Sequence, residues 1–112
     1  MAYTLLLYWI PGSGPANGSD ALEAEFDVWE SLTEQMSAAG ILIANEAVQE
    51  PSTAVTLGAG LDAAGMTGPA TGDERTLFAF YVLDVEDPEV AESWARRLPH
   101  LDYGWVEIRP TM

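Results

Sequence analysis

Apolar positions along this 112-residue chain switch between two periods, and the switches predict the order of its elements. Residues 3–10 (YTLLLYWI) are apolar at nearly every position, as in a strand buried on both faces, and the Gly/Pro/Asn/Ser run from Pro11 to Ser19 reads as a loop. Leu22, Phe26, Trp29, Leu32, Met36 and Ala39 then recur at steps of three and four until Gly40, which predicts an amphipathic helix. Asp20 with Glu23 resembles a capping box at its start. Ile41–Gln49 and Ala54–Leu57 read as strands, residues 58–74 as a Gly-rich connection, and Leu77–Val85 as a second strand too continuously apolar to be one-sided. Asp87 caps and Pro88 opens a second helix to about Leu98, with Val90, Ala91, Trp94 and Leu98 inward and Arg96 and Arg97 in the last turn; Pro99 stops it. Tyr103–Arg109 makes the last strand. The sum is one α+β domain on a ferredoxin-like βαββαβ plan, without internal repeat or dividing linker.

Two helices cover only one face of such a sheet, yet residues 3–10 and 77–85 are apolar on both. The expected cover for the second face is another copy of the chain, in a symmetric homodimer.

Composition removes several chemistries. There is no Cys, so thiol catalysis, thiolate metal sites and disulfides are excluded, and one His makes a zinc site improbable; no metal or cofactor is expected. Four Arg and no Lys against eighteen acidic residues give a formal charge of −14, which repels phosphate backbones and anionic lipid. Nucleic acid and membrane are not expected partners. The apolar start lacks a basic n-region and breaks at Pro11-Gly12, so it reads as a strand rather than a signal peptide, and a cytoplasmic location is expected. Asn17-Gly18-Ser19 matches a glycosylation acceptor but reads as loop.

Few motifs carry chemistry. Gly58-Ala59-Gly60-Leu61-Asp62-Ala63 imitates a dinucleotide fingerprint, but Gly65, Gly68, Pro69 and Gly72 forbid the helix that would receive a pyrophosphate. Strand alternation puts Glu46 on one face with Leu42, Ala44 and Val48, where desolvation would raise its pKa into a range useful for an acid or base. His100, beside Asp102 in the loop after Pro99, is the other acid/base candidate. Tyr3, Leu5, Leu7 and Trp9 share one face and Tyr103, Trp105, Glu107 and Arg109 another, so Trp9, Tyr81, Tyr103 and Trp105 are candidate walls of a small-molecule cavity. Trp29 and Trp94 follow helix faces into the core. Glu107 with Arg109 reads as a structural pair, and Glu23, Glu25, Asp27, Glu30 and Glu34 as a solvated acidic face.

The order and spacing of AGILIANEAVQEPSTAVTL, Gly68-Pro69 and LFAFYVLDVEDPE resemble the YCII-related family, in particular its DGPF subgroup, over nearly the whole chain. The resemblance implies a dimeric α+β barrel, and a Glu is frequent there at the place of Glu46. Where the subgroup has Asp-Gly-Pro-Phe followed by Glu and Lys, this chain has Thr67-Gly68-Pro69-Ala70 with Gly72 and Glu74; Phe80 and Tyr81 remain. The backbone device is kept and its functional side chains are not. Active relatives are thought to use a His and Asp pair for elimination or hydrolysis, and His100 has no clear match to that His. By analogy alone, the fold class includes isomerases and polyketide cyclases that work without cofactor. The sequence thus points to a homodimer binding a small apolar or aromatic metabolite and performing cofactor-free isomerase, cyclase or lyase chemistry with Glu46 and His100. The alternatives are a non-catalytic ligand-binding or accessory protein and a pure interaction subunit without a cavity.

Overall fold

The computed structural model describes residues 2–112. Its elements are β1 (Ala2–Trp9), α1 (Asp20–Ala38), β2 (Leu42–Ala47), β3 (Val55–Thr56), β4 (Met66–Thr67), β5 (Thr76–Leu83), α2 (Pro88–Ala95) and β6 (Gly104–Thr111), with short 3-10 turns at Pro51–Thr53 and Pro99–Asp102. The main sheet runs β2-β5-β1-β6 with every neighbouring pair antiparallel. β5 therefore lies between β1 and β2, the split βαβ arrangement of the ferredoxin-like plan. β3, within the expected Ala54–Leu57 strand, pairs separately with β4, which lies inside the stretch that glycine content marks as connection, and the two form a small arm. Gly65 shapes that arm: its φ is 73°, and a Cβ there would stand 2.3 Å from the Thr56 carbonyl oxygen.

Both helices lie on one side of the sheet. Tyr3, Leu5 and Leu7 of β1 and Ala79, Tyr81 and Leu83 of β5 form a buried layer with Leu32 and Met36 of α1 and Ala91, Ala95 and Leu98 around α2. The opposite face carries Leu6, Tyr8, Phe80 and Val82, half-buried with no helix over them, together with Trp105 of β6.

Local chemistry moves several boundaries. Ser19 is still extended, and its Oγ accepts from the Leu22 amide at 3.2 Å, so Ser19 is the N-cap and Asp20 is already helical. α2 closes at Ala95, where the Arg97 and Leu98 amides turn back to the Trp94 and Ala95 carbonyls, which leaves Arg96 as the cap. Val90 is 40 % exposed and Phe26 59 % exposed, outside the core that their helical spacing implies.

Candidate functional site

The register of the sheet sets the site. Ile43 is an extra residue in β2: Leu42 pairs with Leu83, and the next partners are Ala44 with Val82. One inserted residue exchanges the two faces for everything after it. Asn45 and Ala47 therefore sit on the helix side, opposite Tyr81 and Ala79, while Ala44 and Glu46 join Val82 and Phe80 on the other. Glu46 thus does not share a face with Leu42, and it is exposed.

The Ala47–Ala79 pair puts two of the smallest side chains where α1 passes the sheet edge, and they lie in the lining of a groove of about 530 Å3. Phe26, Trp29 and Thr33 of α1 form one wall, Phe78 and Tyr81 the floor, and Glu30, Glu34 and Glu46 also border it. The Thr33 hydroxyl donates to the Trp29 carbonyl at 2.9 Å, so the Tyr81 hydroxyl, 2.9 Å away, donates to Thr33 Oγ1. Burial holds that phenol above its ordinary pKa, with the Thr33 bond working weakly against it.

At the end of the groove the sheet encloses His100. Its imidazole is fully buried, stacked on Trp29 at 5.5 Å and met edge-on by Phe78 at 5.1 Å and Tyr103 at 6.4 Å. A second bulge supplies Phe78: β5 slips by one residue between the Leu7–Ala79 and Tyr8–Leu77 pairs, leaving Phe78 unpaired in the register. Gly104 admits the ring, since a Cβ there would come within 2.7 Å of His100 Cδ2 and 2.5 Å of the Tyr8 carbonyl oxygen. His100 Nε2 lies 2.8 Å from the Trp105 carbonyl oxygen, which only accepts, so Nε2 carries the proton. Nδ1 is left as a buried lone pair with no protein donor. Burial, the largest effect, lowers the His100 pKa against smaller raising effects of the Trp105 carbonyl and the Glu25 carboxylate, and so favours the neutral ring. Glu25 also accepts the Tyr103 hydroxyl on both oxygens, at 2.8 and 2.9 Å. Burial first, then this carboxylate, holds the Tyr103 proton far above its ordinary pKa.

The residues singled out in the sequence divide across the sheet. Trp9, Tyr81, Tyr103 and His100 lie on the helix side, with Trp9 5.9 Å from Phe78 and 6.3 Å from Tyr103. Trp105 and Glu46 lie on the open side; the Trp105 ring, 43 % exposed, is covered by Arg75 at 5.5 Å. Tyr103 parts from Trp105 because its ψ of 1° is not extended and strand alternation begins only at Gly104. Glu46 and His100 do not border a common cavity, and Asp102 is exposed rather than bonded to His100. Glu25, Glu30 and Glu34, part of an acidic helix face in the sequence, here engage Tyr103 or line the groove. Only the proximity of their side of α1 to the Trp29 position hints at this in sequence. Glu107 pairs with Arg109, as the sequence indicates.

The fold and groove define a two-layer, ferredoxin-like α+β domain with an apolar site between its first helix and the sheet edge. The chain belongs to the YCII-related domain family, which it matches over residues 1–112. No match was found among curated proteins. No helix of the described residues is long and apolar enough to cross a membrane.

Proposed function

We propose that the chain is a homodimeric small-molecule-binding protein whose ligand lies in the groove between α1 and the β2–β5 edge. The observation that carries the reading is the Ala47–Ala79 floor beneath Trp29 and Phe26, which keeps aromatic surface open at a size suited to a one- or two-ring molecule. Ligand burial also accounts for the exposure of Phe26, which otherwise gains little by pointing off the helix. The test is a screen of neutral aromatic fragments by amide and indole NMR. Hits should shift Trp29, Thr33 and Phe78, and Ala47→Phe, a change at an exposed edge position, should abolish them. Hits that shift scattered residues, or that survive Ala47→Phe, would overturn the reading.

A second reading, cofactor-free acid/base catalysis, is favoured by the bare His100 Nδ1. Trp29 and Phe78 stand both against the imidazole and in the groove wall, so displacement of either ring brings a ligand to that lone pair. Nδ1 would accept the ligand's proton, and the resulting imidazolium would be stabilised by the Trp105 carbonyl and the nearby Glu25 carboxylate. Glu46 has no part in this scheme. A groove-bound ligand that leaves the His100 ring nitrogens unshifted in 15N NMR would exclude it.

The dimer is proposed through the open sheet face. Leu6, Tyr8, Phe80 and Val82 are its apolar stripe, and its acids are few: Glu46 near the edge and Glu107, already paired with Arg109. The acidic load lies on the helices and loops instead, so a second copy meets little repulsion there.

A further inference from the structure

The groove also has a sign. Its wall and floor carry the rings of Phe26, Trp29, Phe78 and Tyr81, and the charged residues that border it on the helix side are Glu30 and Glu34, with no Arg among its lining; Glu46 stands at the same edge but on the other face of β2. The four cations of the chain are all engaged elsewhere. Arg75 pairs with Asp73 and lies over Trp105; Arg96 pairs with Glu92; Arg109 pairs with Glu107; Arg97 donates to Gln35 and lies 4.9 Å over Trp94. An aromatic face is negative at its centre and attracts a cation, and carboxylates at the rim of the groove add to that field while opposing any anion. A neutral ligand would use the rings alone and leave the two carboxylates of Glu30 and Glu34 beside it without counter-charge.

We infer that the groove selects an organic cation, an amine or ammonium group carried on a one- or two-ring apolar body. The body fills the space over Ala47 and Ala79, and the cationic head stands among Trp29, Glu30 and Glu34. The inference rests on the groove being the ligand site. It adds the charge of the ligand, which the rings set together with the carboxylates: an acidic rim without rings would hold any cation, including inorganic ones, and rings without the rim would prefer a cation over a neutral molecule only weakly.

The experiment compares 1-naphthylmethylammonium, 1-naphthylmethanol and 1-naphthoate by calorimetry and by the Trp29 indole resonance, at low and at physiological salt. The ammonium should bind about tenfold more tightly than the alcohol, and the naphthoate more weakly than either. In Glu30→Gln/Glu34→Gln, both exposed positions, the ammonium should lose most of its advantage over the alcohol. Glu74→Gln/Glu86→Gln removes the same charge from exposed positions outside the groove and should keep most of the preference, which separates the local site from the general field of an acidic protein. Equal binding of alcohol and ammonium at Trp29, or equal loss of preference in both variants, overturns the cation inference and leaves the groove as a neutral-ligand site. If none of the three compounds moves the Trp29 resonance, the inference falls together with the groove reading.

Discussion

His100 shows how a single position acquires a property that its sequence neighbourhood does not announce. Its surroundings, Pro99, Leu101 and Asp102, read as surface loop, yet Gly104 and the Phe78 bulge give the ring a fully buried seat. A buried neutral imidazole makes stability depend on pH with a definite sign. Because the folded pKa lies below the unfolded one, the unfolded chain binds a proton below about pH 6.5 that the folded chain does not yet take up. The contribution is therefore fully present above that range and is lost as pH falls through it. Comparing wild type with His100→Phe by chemical denaturation from roughly pH 7.5 to pH 5 should show the wild type losing stability relative to the variant across this window. Parallel curves would mean that the imidazole titrates normally. His100→Asn gives the same comparison with a smaller side chain.

At the scale of elements, the helices were legible because their signals are local. The three- and four-residue recurrence in α1 and Asp87-Pro88 at the start of α2 appear where the spacing puts them. The cap of α1 was displaced by one residue, since Asp20 and Ser19 are both good caps and only the backbone angles decide between them. Ser19→Ala should lower stability by about 0.5–2 kcal/mol in denaturant titration, whereas Asp20→Ala should act only through the helix dipole and cost less. Equal effects would mean that Asp20 shares the cap. The strands of the main sheet were legible as elements but not in register, and β4 was hidden in the Gly-rich connection. Neither Ile43 nor Phe78 differs in sequence from a regular strand residue, and a bulge arises from what the neighbouring strand presents. The face assigned to Glu46 changed for that reason alone.

For the whole molecule, the ferredoxin-like order follows from counting elements, and the uncovered face follows from two helices and a sheet that is apolar on both sides. If a second copy covers that face, light scattering should give twice the protomer mass at micromolar concentration. Val82→Glu, which sets a charge in the middle of the Leu6, Phe80 and Val82 stripe, should shift the protein to a monomer with unchanged far-UV circular dichroism. A monomeric wild type would remove the dimer and leave the stripe unexplained.

Composition by itself determined that this protein has no thiol to use: with no Cys, thiol chemistry, thiolate metals and disulfides were closed before any folding was considered. Hydrophobic period determined the α+β plan, because burial must follow the 3.6- and two-residue repeats of the backbone. Tertiary structure alone decided the site. Two single-residue bulges chose which side chains face the helix, a facing pair of alanines came to line the groove, and one glycine let an imidazole be buried with a nitrogen to spare. Each of these depends on what lies across a strand or above a sheet, and such relations between residues distant in the chain leave no periodic trace in sequence.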